Sequence, residues 1–190
     1  SREMLNKFEI EKIQSKWGDV IVKVGKQNSI ENKLNFLKPK LKQLYDFDYG
    51  IQFKPTKASN NQFRNNFDGA LSYFLGYKYL EYDFILRNGK ELNDSIAKPE
   101  NINFSYPKLL EKYSEDKGFA LSGWDKVTFE NDSLKIMNNI AVAMGNYFFE
   151  IIHSSTPLKV KAEYTFIYRI SDDGIIKIIL QHSSFPFNTN

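Results

Sequence analysis

The chain has no cysteine and only two histidines, His153 and His182. The first absence excludes disulfides, thiolate nucleophiles and cysteine-ligated metals. The second excludes a three-histidine catalytic zinc site built from one copy of the chain. No HExxH or DxDxDG spacing gathers the carboxylates around a metal. GxGxxG, GxxxxGK(S/T) and GxSxG are missing too, so nucleotide cradles and nucleophile elbows have no support. No apolar stretch approaches the roughly 18 residues of a membrane span. The 26 basic residues are interleaved with 23 acidic ones, and a net charge of +3 is too small to point to a nucleic-acid partner. Neither nucleic acid nor a membrane is expected as a partner.

What is present argues for a folded protein. The 190 residues suffice for one domain with a real core, and 42% are apolar, with 16 Phe and 11 Tyr. Ser1-Arg2-Glu3-Met4 lacks the charged-then-apolar layout of a secretory signal. A cysteine-free chain suits the periplasm and the cytosol equally, so an exported and a cytoplasmic location both stay open.

From Met4 to about Lys26 the apolar positions Met4, Leu5, Phe8, Ile13, Trp17, Val20, Ile21 and Val24 fall at steps of three and four, predicting an amphipathic helix. Gly25 supplies its stop. Ser29 is the candidate N-cap of a second helix that buries Ile30, Leu34, Leu37, Leu41 and Leu44. Pro39 inside that pattern predicts a kink or break near Lys38. Beyond Gly50 the pattern turns strand-like: Ile51–Lys54 is a short strand ended by Pro55, and Asn65–Gly76 reads as an aromatic-rich strand holding Tyr73. Residues 87–117 read as a long connection with a helical turn near Tyr106–Tyr113.

Phe119–Asn131, Ile140–Ile152, Lys159–Ile170 and Ile175–Ser184 are long apolar or alternating runs, read as strands. Ser171-Asp172-Asp173-Gly174 predicts a hairpin, and His153–Pro157 separates the preceding pair in the same way. Two helices (residues 1–46) followed by antiparallel strands and a pocket (50–187) define an α+β order in a single domain. The sheet is expected to curve around the N-terminal helices and leave a central pocket.

Four segments resemble the iota class of carbonic anhydrases. They are Phe53-Lys54-Pro55-Thr56-Lys57-Ala58 with Gln62-Phe63-Arg64 and Gly69–Phe74; Glu115–Ala120 with Trp124 and Val127–Asn131; Ala143–Phe149; and Glu163-Tyr164-Thr165-Phe166 leading to His182-Ser183-Ser184-Phe185-Pro186. They span residues 50–187 in the family's order, and Lys16-Trp17-Gly18 extends the likeness towards the N-terminus. The resemblance implies the cone-shaped NTF2-like (SnoaL-like) fold, a homodimer, and reversible hydration of carbon dioxide to bicarbonate. It implies a metal-free, hydroxyl-lined pocket with no cofactor, although other members have been associated with manganese or zinc. By position it assigns Thr56, Tyr73, Gln181 and Ser183 to the catalytic pocket, with Thr56, Tyr73 and Ser183 on the substrate and His182 and Ser184 as secondary candidates.

One position departs from the family. Its terminal motif is His-His-Ser-Ser, where this chain has Gln181-His182-Ser183-Ser184. Neighbours in a strand face opposite ways, so Gln181 shares a face with Ser183, and His182 with Ser184. An amide donates and accepts hydrogen bonds but is no general base near neutral pH. The alternative function is therefore a non-catalytic or degenerate NTF2-like domain for small-ligand binding or oligomerisation. An enzyme acting on a larger apolar molecule would require a buried Asp or His base, and none is evident. Glu115, Asp116 and Glu163 read as ion-pairing or loop-fixing groups, His153 as a surface residue, and Trp17 and Trp124 as core.

Overall fold

The computed structural model describes residues 4–87 and 111–188. Helix α1 (Lys7–Gly25) starts where the Asn6 side chain accepts from the Glu9 N–H. Its buried stripe is Ile10, Ile13, Trp17, Val20, Ile21 and Val24, while Met4 and Phe8 point to solvent. Ser29 caps α2 (Ile30–Leu44) by accepting from Asn32 N–H, and Leu34, Leu37, Leu41 and Leu44 are buried. The helix runs unbroken through Pro39, which excludes the break among the two outcomes expected there, a kink or a break. Pro39 and Asn35, whose carbonyl loses its i+4 donor, are both exposed, so water can satisfy the orphan.

Strand β1 (Gln52–Lys54) follows, then helix α3 (Phe67–Leu75) and helix α4 (Tyr77–Arg87). Helix α3 corrects the expected aromatic strand. Asn66 caps it by accepting from Gly69 N–H, and every residue from Gly69 to Leu75 is buried. A helix buried on all sides has no polar face and thus no 3.6-residue signature. The turn expected at 106–113 lies mostly outside the described residues, which resume with helical backbone at Glu111 and Lys112.

A 3₁₀ turn (Phe119–Ser122) precedes β2 (Lys126–Met137), so the strand begins later than its apolar run. Strands β3 (Ile140–Ile151), β4 (Leu158–Ile170) and β5 (Ile176–Ser184) complete a sheet in the order β1-β5-β4-β3-β2. The four long strands are antiparallel, as expected, but β1 joins the edge in parallel to β5, with Phe53 opposite Gln181. A parallel neighbour needs a long crossover, here most of the chain, so local pattern does not reveal it. Register shifts at Asn131/Ser133 and Ile167/Tyr168 mark bulges, which bend a sheet.

The inward residues of β4, Ala162, Tyr164, Phe166, Tyr168 and Ile170, alternate with outward ones and pack against the helices in one core. Gly18 lets α1 cross β2 closely: a Cβ there would come within 3.1 Å of Val127 Cβ. No helix among the described residues is long and apolar enough to cross a membrane.

Candidate active site

The inner face of the sheet and the helices enclose a cavity walled by Trp17, Phe53, Phe74, Phe119 and Phe149. Its polar lining is Thr56, Tyr73, Tyr147, Gln181 and Ser183, so the four sequence candidates meet around one space. They come from separate elements. Thr56 follows β1 and Pro55, Tyr73 sits on the buried length of α3, and Gln181 and Ser183 project inward from β5. The open space amounts to about 10 Å³, enough for roughly one water. A larger hollow of about 170 Å³ shares Tyr73 and Phe119 with it and is lined by Lys57, Glu115, Lys117 and Ser122.

The hydroxyl groups are arranged in two sets. Thr56 Oγ1 and the Tyr73 hydroxyl are 3.1 Å apart. In the second set the Trp17 indole N–H donates to the Tyr45 oxygen at 2.9 Å, and the Tyr45 hydroxyl donates to Gln181 Oε1. Gln181 Nε2 donates to the Tyr147 oxygen at 3.3 Å, and Tyr147 and Ser183 share a further hydrogen bond. Burial raises the Tyr73 phenol well above its usual range, partly opposed by the Thr56 hydrogen bond. Burial pushes Tyr147 up to about 12 despite the bonds from Ser183 and Gln181, and Tyr45 is likewise raised by burial. All three are therefore neutral donors at physiological pH.

His182 and Ser184, the secondary candidates, are not brought into this cavity. Both are exposed on the outer face, where Ser184 donates to Glu163 at 3.0 Å. The physical reason is the side-chain period of two along β5, which sends them away from Gln181 and Ser183. His153 is also exposed, in the β3–β4 connection. Among the described residues no group of three or more His, Asp or Glu is placed to hold a metal ion.

Asp116 and Glu115 shape the site without lining its polar centre. The Arg64 guanidinium forks onto Asp116 at 2.6 and 2.8 Å, and Ser72 Oγ donates to the same carboxylate at 2.7 Å. All three side chains are buried. This clamp anchors α3 next to Tyr73. Glu115 accepts from the Ser59 N–H and hydroxyl and from Asn60 N–H, which pins the loop after Thr56.

Sequence reasoning missed Tyr45 and Tyr147 and placed Trp17 in the core alone. A signal existed for each. Tyr45 continues the Leu41–Leu44 stripe at i+4, and Tyr147 shares its strand face with Ala143 and Phe149. Trp17 is core by packing, stacked on Tyr147 at 5.6 Å, and also carries the only indole N–H aimed at this network.

A sheet folded over helices around a small inner pocket is the NTF2-like architecture. The chain is similar in fold to an NTF2-like superfamily protein from Salmonella enterica serovar Typhimurium, at 13% identity and TM-score 0.50 over 97% of this chain and 93% of that one. The chain belongs to the metal-independent carbonic anhydrase family, whose pattern matches residues 8–185. It is 30% identical to the metal-independent carbonic anhydrase of Nostoc sp. over 96% of its own length and 75% of that protein's. It also resembles the solved iota-carbonic anhydrase of a cyanobacterium complexed with bicarbonate, at 25% identity and TM-score 0.74 over 98% of this chain and 95% of that one.

Proposed function

We propose that this carbonic anhydrase hydrates carbon dioxide to bicarbonate and a proton in the cavity between Thr56, Tyr73 and Ser183. The observation that carries the reading is the convergence of neutral hydroxyl donors on a small aromatic-walled space that adjoins the larger hollow beside Tyr73 and Phe119. The aromatic wall suits uncharged carbon dioxide and limits entry of bulk water. Thr56 and Tyr73 orient one water. Its oxygen forms the new C–O bond, one C=O π pair moves onto oxygen, and one water proton leaves to solvent. Hydroxyls held in place by the fold stabilise the charge growing on the carbon dioxide oxygens, at no cost in reorganisation. Bicarbonate bound by the cyanobacterial relative supports the same ligand here.

The test is stopped-flow carbon dioxide hydration with a pH indicator, before and after exhaustive chelation, alongside elemental analysis. The expected result is turnover that survives chelation, as the family's metal-independent character implies. Loss on chelation restored by one metal would overturn the metal-free mechanism. Absence of turnover in metal-replete protein would overturn the enzymatic reading in favour of a binding domain.

The chain is further read as a homodimer through the outer face of the sheet, where Met144 is 53% exposed and Phe148 and Ile167 are half-buried. Light scattering of a monomer at micromolar concentration would contradict this.

A further inference from the structure

The hydrogen bonds behind Ser183 have a direction that follows from one residue. An indole N–H can only donate, so the Tyr45 oxygen must accept from Trp17. Tyr45 is buried, and its own proton needs an acceptor. Gln181 is the group in reach that can accept it, through Oε1. That contact sets the amide orientation and turns Nε2 towards the Tyr147 oxygen. Having accepted there, Tyr147 has its hydroxyl proton left for Ser183 Oγ. Ser183 then keeps its own proton for the cavity that it lines.

We propose that Trp17, Tyr45, Gln181 and Tyr147 form a one-way hydrogen-bond chain that holds Ser183 as a donor to the oxygens of carbon dioxide and bicarbonate. The proposal rests on the cavity being the site of hydration. Trp17, Tyr45, Gln181 and Tyr147 are positioning residues, acting through Ser183. Every member is buried, so no bulk water competes to reverse the order, and in such surroundings successive hydrogen bonds polarise one another. Reversal, by turning the Gln181 amide over, would leave the buried Tyr45 proton without its acceptor. What Gln181 supplies is one acceptor and one donor on opposite sides, a role that needs no titratable group.

The role is tested by substitutions that keep or break this polarity. In Gln181→Glu the protonated carboxyl still accepts from Tyr45 and donates to Tyr147, as the amide does. Once ionised it accepts from both. Tyr147 then donates to it, Ser183 donates to Tyr147, and the cavity loses one donor. In Gln181→His both protonation states can donate to Tyr147, so the direction at Ser183 is kept. Gln181→Glu is expected to be active at low pH and to lose about 10²- to 10³-fold in kcat, the worth of one oxyanion donor, as pH rises through the carboxyl pKa. Gln181→His should show no such alkaline loss.

Repulsion between the new carboxylate and bicarbonate would give a similar limb, and the double variant Gln181→Glu/Ser183→Ala separates the two causes. The limb must vanish in the double variant if it acts through Ser183, and a persisting limb overturns the proposal. Tyrosine ¹³Cζ NMR gives a readout that needs no turnover, because the Tyr147 signal must move with the carboxyl titration in Gln181→Glu. No movement overturns the chain even if wild type is inactive, whereas inactivity alone counts against the hydration reading. Should the carboxyl variants fail to fold, Tyr45→Phe takes their place. It must lower kcat with KM unchanged, and full kcat in it refutes the chain.

Discussion

Replacing Tyr73 by Phe removes one oxygen and leaves the ring. That ring stacks on Phe119 at 5.7 Å and meets Phe53 and Phe74 edge-on at 5.8 and 5.5 Å, contacts that a phenyl group preserves. The hydroxyl itself makes the 3.1 Å hydrogen bond to Thr56, and burial keeps it protonated at neutral pH. The cost in stability is one neutral hydrogen bond, about 0.5–1.5 kcal/mol, reduced because a buried phenol oxygen no longer has to be desolvated. The cost in catalysis is different in kind. If the hydroxyl orients water and meets developing charge, its loss removes about 2.7–4 kcal/mol of transition-state stabilisation, or roughly 10²- to 10³-fold in kcat. Stopped-flow carbon dioxide hydration measures the second quantity, and calorimetric melting measures the first. The expected pattern is a large fall in kcat with little change in Tm. Wild-type kcat in Tyr73→Phe, and likewise in Ser183→Ala, with both folded, would refute the assignment of the cavity.

Three further outcomes follow from the packing. Asp116→Asn takes from the fully buried Arg64 guanidinium its buried, bidentate carboxylate, leaving only the more exposed Glu115 at 3.9 Å, and should cost up to about 3–5 kcal/mol in denaturant unfolding. Gly145→Ala would bring a Cβ to 2.0 Å from the Glu130 carbonyl and 2.7 Å from the Tyr164 hydroxyl, so the β2–β3 pairing must shift. A loss of about 1–3 kcal/mol or more in urea melts is expected, and an unchanged midpoint would mean that the strands separate easily. Tyr45, Tyr73, Tyr147, Tyr164 and Tyr168 all have phenol pKa values raised by burial, Tyr147 from 10.0 to about 12. Between those values the folded chain holds protons that the unfolded chain has released. Their stabilisation is therefore complete below pH 10 and is lost as pH rises through the folded values, which thermal melts between pH 8 and about 12 should record.

Much of this was legible in the chain because it is local. The stripes of α1 and α2, the cap at Ser29, the long strands β3, β4 and β5, and the Ser171–Gly174 hairpin are all written in spacings of two, three or four residues. Gly25, expected as the stop of α1, is its last helical residue, and Lys26 is the C-cap. The same period of two along β5 separates Gln181 and Ser183 from His182 and Ser184. Likeness to the family supplied Thr56 and Tyr73. Tertiary structure decided the rest, starting with Asn65–Gly76, where burial from every side erased the periodicity that distinguishes helix from strand. It decided the parallel pairing of β1 with β5, which joins segments far apart in the chain and brings Thr56 to the cavity. It also joined Trp17 to Tyr45 across 28 residues, Tyr45 to Gln181 across 136, and Tyr147 to Ser183 across 36. Hydrogen-bond direction depends on which donors and acceptors meet in a space without water, and no local pattern encodes such a meeting.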